Sequence, residues 1–106
     1  MLAEKKIDFG TGVVFASIAE ARDYYGQILR DTPIDQRVTN EEYKAVRLLY
    51  EAYCAKTNWP LPSSPKAFFT THKRGVGYTT KCFGVEFEDG SKATFSLDKA
   101  LAAVAN

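Results

Sequence analysis

The sequence predicts a single α+β domain over residues 1–106, with two amphipathic helices packed on a three-stranded antiparallel meander and a short C-terminal helix. Two patterns predict this fold. Two capping boxes stand ahead of stretches with helical hydrophobic spacing, and after residue 67 the hydrophobic period changes to two. The length of 106 residues fits one domain, and the 45% hydrophobic content indicates a folded chain.

The N-terminal part of the chain predicts a short strand segment and then a helix. Segment 7–15 has β-type residues around two glycines, which predicts one short strand or a turn-split pair. Ser17 and Glu20 form the first capping box, and Pro33 ends the helix because the residue before proline avoids helical angles. The apolar stripe of this helix is Ile18, Ala21, Tyr24, Tyr25, Ile28 and Leu29.

A second capping box, Thr39 to Glu42, opens the second helix. Its apolar stripe is Tyr43, Val46, Leu49, Tyr50 and Tyr53. The following segment 58–65 holds three prolines, so we expect an irregular connection there. We expect Trp59 to pack this connection onto the domain.

The C-terminal half predicts a β-meander with strands at 67–74, 81–88 and 91–97, the first two joined through 75–78. A two-residue Asp89-Gly90 loop would place polar residues opposite apolar ones. A three-residue loop, 88–90, makes the apolar faces coincide, with Gly90 left-handed in a bulge. The predicted pairs are Phe87 with Ser91, Val85 with Ala93 and Phe83 with Phe95. A short Ala-rich helix over 98–105 ends the domain.

Composition excludes several classes of protein. Fourteen Lys and Arg against thirteen Asp and Glu give a net charge of +1, so any electrostatic site is a local patch. Two cysteines and one histidine cannot form a four-ligand Cys/His zinc site. We therefore expect no metal and no cofactor. No apolar run reaches the length of a membrane span and no signal peptide is recognised, so we expect a cytoplasmic monomer with no membrane partner.

Two side chains are candidates for a catalytic role, His72 and Cys82. His72 is the one histidine of the chain, and no nucleophile with an orienting carboxylate can be assigned to it from the sequence. Cys82 lies beside Lys81 but has no sequence feature of a catalytic thiolate. An enzyme would need a pocket that converges on one of these two residues, and we expect the protein not to be an enzyme.

The charge is most uneven between residues 66 and 81. This segment carries +4 and no acidic residue, so the rest of the chain carries −3. Basic residues interleaved with aromatic residues are typical of surfaces that bind single-stranded nucleic acid, with cations on phosphates and rings on bases. A charged hairpin is more often only a solvated surface. The predicted binding residues are Lys66, His72, Lys73, Arg74, Tyr78 and Lys81, with Phe69 as a further stacking candidate.

The C-terminal half resembles the family named for the plant "defective chloroplasts and leaves" protein, a domain of unknown function shared by plants and bacteria. The resemblance rests on Lys81-Cys82-Phe83, Asp89-Gly90-Ser91, Phe95-Ser96 and Lys99, and on the N-terminal Phe15-Ala16-Ser17 with Glu20-Ala21 and Ile28-Leu29. The chain departs from the family pattern at Lys81, Thr94 and Leu97, and at Lys73, where the family has proline. Plant members are implicated in plastid ribosomal RNA processing, so the resemblance implies RNA-linked biology in a bacterial or plant setting.

These observations favour a non-enzymatic accessory module that binds RNA or another single-stranded nucleic acid. The alternative is a protein–protein interaction module that uses the loop at Trp59 and Leu61, or a free edge of the sheet.

Overall fold

A computed structural model describes residues 6–9, 14–58 and 63–105. It has the predicted α+β fold: helices pack on a three-stranded antiparallel sheet, and a two-stranded antiparallel sheet is formed by the N-terminal strands. In chain order the elements are β1 (Ile7–Asp8), β2 (Val14–Phe15), α1 (Ile18–Asp31), α2 (Asn40–Thr57), β3 (Pro65–Gly75), β4 (Tyr78–Phe87), β5 (Lys92–Phe95) and α3 (Leu97–Val104).

The N-terminal elements follow the sequence prediction. β1 and β2 pair antiparallel, which confirms two short strands rather than one. The predicted turn between them falls on residues 10–13, outside the described residues. Ser17 caps α1, because its hydroxyl accepts a hydrogen bond from the amide of Glu20 at 3.1 Å. The stripe of α1 is buried at Ala21, Tyr25 and Ile28.

Helix α2 begins where predicted but without the predicted cap. Thr39 holds the N-cap position, yet its side chain makes no capping hydrogen bond. The next residue, Asn40, has a φ of +56°, outside the right-handed helical region, so the first turn does not present its amides to the threonine hydroxyl. The helix ends at Thr57, and Asn58 follows as its left-handed C-cap. Trp59 and Leu61 lie outside the described residues, so the packing expected of Trp59 stays a prediction.

The meander has the predicted register. The sheet order is β3-β4-β5, and Phe83 pairs with Phe95 while Val85 pairs with Ala93. The Phe87 amide donates to the Ser91 carbonyl at 2.9 Å, and Gly90 has a φ of +88°. The three-residue loop, predicted because it makes the apolar faces of the two strands coincide, is therefore confirmed.

The predicted boundary between the last strand and the last helix is wrong. The prediction extended the strand to Leu97, whereas β5 ends at Phe95 and Leu97 is the first residue of α3. Ser96 supplies the reason, since its hydroxyl accepts from the amide of Lys99 at 3.4 Å and caps the helix.

The core lies between the helices and one face of the sheet. Its fully buried large side chains include Tyr25, Leu49, Phe68, Phe83 and Leu101. Tyr50 packs against three phenylalanine rings, those of Phe68, Phe87 and Phe95, at centroid distances of 5.7, 6.3 and 4.9 Å. None of the helices in the described part of the chain is long and apolar enough to cross a membrane.

Candidate nucleic-acid interface

The two faces of the sheet differ, because one is buried against the helices and the other is turned away from them. Phe68 pairs with Val85 and Thr70 pairs with Phe83, and all four side chains are fully buried on the face covered by the helices. Successive side chains of a strand point to opposite faces. The outer face, turned away from the helices, therefore carries the intervening residues: Ala67, Phe69, Thr71 and Lys73 on β3, Thr80, Cys82, Gly84 and Glu86 on β4, and Lys92 and Thr94 on β5.

Part of the β3–β4 hairpin projects beyond the third strand. β5 pairs only with residues 83–86 of β4, so residues 71–82 form an arm of two strands. Its tip is open to solvent, since Val76 is 99% exposed and Gly77 turns with a φ of +75°. The arm contains most of the basic segment that the sequence singled out.

The arm divides the predicted cations between the two faces. Lys73 pairs with Thr80 on the outer face and is exposed. His72 pairs with Lys81, and their alternation places both on the helix side of the sheet. Lys66 is exposed at a register shift between Pro65 and Ala67. The side chains of Arg74 and Tyr78 lie outside the described part of the structure, so their predicted contacts stay predictions.

Lys81 has a structural partner. Its ammonium donates a hydrogen bond to the carbonyl of Arg30 at 3.2 Å, in the last turn of α1. A cation at this end of a helix stabilises the unpaired carbonyls and the negative end of the helix dipole. Lys81 therefore ties the arm to α1, whereas Lys73 is exposed on the outer face.

An aromatic ring occupies the centre of the outer face. Phe69 pairs with Gly84, and the distal part of its ring lies over that glycine, where any Cβ atom would overlap the ring carbons. The ammonium of Lys92 lies 5.8 Å from the ring centroid, a cation–π distance. The side chain of Phe69 is only partly buried. The sequence named Phe69 as a stacking candidate, but not the glycine that seats its ring.

A loop adds charged groups beside this ring. The connection between α1 and α2 runs along the edge of β3 that β4 does not occupy. The backbone amide of Asp35 donates to the Thr70 carbonyl at 2.7 Å, and the amide of Val38 donates to the Phe68 carbonyl at 2.8 Å. Arg37, between them, reaches Glu86 with an N–O distance of 3.3 Å. This ion pair joins the loop to the outer face.

Two cations of this surface, Arg37 and Lys92, lie outside the segment that the sequence analysis selected. Lys92 could have been found, because the confirmed hairpin register places it directly opposite Glu86. Arg37 gave no local signal, since only the fold brings its loop to β3.

A pocket of about 260 Å³ reaches Cys82 at the base of the arm. Lys73, Lys81, Asp98 and Leu97 are among its lining residues. Burial raises the pKa of the Cys82 thiol, and the charge of Lys73 opposes that rise. A raised pKa keeps the thiol protonated at neutral pH, which is opposite to the activation a catalytic cysteine needs.

The other titratable residue weighed for catalysis, His72, is exposed on the arm and is not among the lining residues of that pocket. Within residues 6–9, 14–58 and 63–105, no group of three or more His, Cys, Asp or Glu side chains is placed to hold a metal ion.

Comparisons with known proteins support the fold, but they give no family and no function. Neither the protein-family models nor the curated proteins give a match. Among solved structures, the solution NMR structure of an uncharacterized protein from Rhodospirillum rubrum is similar, with a TM-score of 0.69 and 21% sequence identity. The likeness covers 94% of this chain and 89% of that one.

Proposed function

We propose that this chain is a non-enzymatic module that binds RNA or another single-stranded nucleic acid across the outer face of its three-stranded sheet. The observation that carries the proposal is the Phe69 ring, which lies over Gly84 with the Lys92 ammonium 5.8 Å from its centroid and Arg37 lining the same pocket. Lys73 is exposed on the same face, four residues farther along β3. The resemblance to the plant-named family with its RNA-linked biology supports the same function.

The chemistry of this face suits a single strand. A partly exposed ring offers a π surface for base stacking, which is worth about 1–3 kcal/mol per base. All three cations are exposed, and Lys73 has no carboxylate partner among the described residues. In the described part of the chain the helices lie on the opposite face, so a ligand strand has access.

The test is fluorescence anisotropy with a labelled uridine oligomer at several salt concentrations. If Arg37, Lys73 and Lys92 each contact one phosphate, the logarithm of the affinity should fall with the logarithm of the salt concentration with a slope of about −2 for a single strand. A Lys73→Ala/Lys92→Ala variant should bind at least tenfold more weakly, with a slope of about −0.7.

The matched control removes two exposed lysines from α2, Lys44→Ala/Lys56→Ala, and should keep both the affinity and the slope. A Phe69→Leu variant should lose affinity while keeping the slope, because it removes stacking but no cation. Absence of binding at low salt, or equal losses in the two double-lysine variants, would overturn the proposal.

A further inference from the structure

Beside the Phe69 ring, the outer face has a pocket that combines an aromatic floor with charged groups of both signs. Its volume is about 340 Å³, and its lining residues are Asp35, Arg37, Phe69, Glu86 and Lys92. The two carboxylates distinguish it from a surface that only attracts phosphate. Besides the cations that can contact phosphates, the carboxylates offer hydrogen-bond acceptors, which a phosphate contact does not use.

The position of Lys92 shows that a cation can reach the Phe69 ring. The lysine is exposed, and its ammonium lies over the ring. A planar base can take the same position by stacking, and the displaced ammonium is then free to contact a phosphate of the same strand.

Glu86 supplies the recognition element at the edge of this floor. Its side chain is only 20% exposed, and one carboxylate oxygen accepts from Arg37. A carboxylate has about four acceptor positions, so Glu86 retains capacity for further donors. Hydrogen bonds to an ionised carboxylate are stronger than neutral ones.

Guanine is the base whose edge matches these groups. Its N1–H and 2-amino group are adjacent donors that can bond the two oxygens of one carboxylate, and its O6 accepts from a neighbouring cation. Adenine and cytosine each place a ring-nitrogen acceptor beside their amino group, and uracil flanks its single N–H with two carbonyls. Each of those acceptors would meet the negative charge of Glu86.

We infer that the pocket between Phe69, Arg37, Glu86 and Lys92 is a guanine site, in which the base stacks on Phe69 and donates to the Glu86 carboxylate. This inference rests on the proposed function and deepens it, because it gives the outer face a preferred base.

The experiment compares uridine oligomers that carry one central guanosine, inosine, adenosine or cytidine. The guanosine oligomer should bind about tenfold more tightly than the adenosine or cytidine oligomer, as a bidentate base contact does. Inosine lacks the 2-amino group and should fall between them. Glu86→Gln should remove the guanosine preference and leave the affinity for the plain uridine oligomer unchanged or higher. Glu88→Gln, an exposed neighbour in the hairpin loop, should leave the preference intact.

A second readout does not depend on a strand. Guanosine monophosphate should shift the amide NMR signals of Phe69, Gly84 and Glu86, and adenosine monophosphate should shift them less. Binding of all oligomers with equal affinity would overturn the guanine site and leave the proposed function standing. A guanosine preference that survives Glu86→Gln would overturn the role of this carboxylate, and no binding of any oligomer would overturn both proposals.

Discussion

At the residue scale, the pairing of Phe69 with Gly84 is the most unusual feature of the sheet. A glycine inside a strand costs about 0.5–1 kcal/mol relative to alanine, because it loses more backbone freedom on folding. Here the missing side chain creates the space into which the Phe69 ring folds. A glycine within a strand often marks such a close approach.

Gly84→Ala tests this pairing. The new Cβ would overlap the Phe69 ring, so the ring must leave its seat and project into solvent. We expect overpacking to cost about 2 kcal/mol, whereas alanine regains about 0.5–1 kcal/mol of the backbone cost of glycine. The free energy of unfolding should therefore fall by about 1 kcal/mol. Urea unfolding measures the loss, and ring NMR signals report the displacement. An unchanged ring environment would contradict the expectation.

The candidate site was only partly predictable from the sequence. Lys73 and Phe69 lie on the outer face because strand alternation, which the sequence shows, places them there. The same alternation puts His72 and Lys81 on the other side, a separation that a count of charges along the chain does not reveal. Arg37 is brought in by a loop that pairs with β3, and no local pattern encodes such a tertiary contact.

At the element scale, the two helix N-termini give a matched comparison. Ser17 makes its capping hydrogen bond and Thr39 does not, although both stand in the same sequence motif. Ser17→Ala should therefore lower the free energy of unfolding by about 1 kcal/mol, and Thr39→Ala by only a few tenths. Thermal or urea unfolding of the two variants provides the measurement, and equal losses would show that the motif caps both helices.

The bounds of a helix or strand could be predicted where a single local sequence rule determines them. The hairpin loop followed from parity, because a shift of one residue would have exposed every apolar side chain. The end of β5 did not follow, since Leu97 suits both an inward strand position and the first turn of a helix. The cap formed by Ser96 decides between them, and that cap is a three-dimensional contact.

At the scale of the whole molecule, two buried tyrosines connect the stability of the core to pH. Burial is the main cause that raises the pKa of Tyr25 and of Tyr50 above the usual tyrosine value. The Tyr25 hydroxyl also donates to the carbonyl of Ala45 at 2.9 Å, joining α1 to α2.

These raised pKa values predict alkaline destabilisation. Above the unfolded-state pKa of about 10, the unfolded chain releases both phenolic protons while the folded chain retains them. For each tyrosine the free energy of unfolding should therefore fall by about 1.4 kcal/mol per pH unit, and the contribution of that tyrosine is fully present below about pH 10. Burial also raises the pKa of the Cys54 and Cys82 thiols, which add a fall of the same sign from about pH 8.5. Urea unfolding at about pH 8 and about pH 11 measures the fall. Tyr25→Phe should lower stability at pH 8 but remove roughly half of the fall that the two tyrosines supply. A Tyr25→Phe/Tyr50→Phe variant with an undiminished fall would contradict this assignment.

The two-sided sheet has a consequence for how this protein can change in evolution. Along β3 the residues that hold the core, such as Phe68 and Thr70, alternate one by one with those that meet the solvent, such as Phe69 and Lys73. Selection for folding therefore acts on every second residue of this strand, and selection for surface properties acts on the residues between them. The outer residues can drift toward a new ligand while the inner ones keep the fold. Gly84 on β4 is one exception, because the outer-face ring of Phe69 packs on it and limits what can replace it.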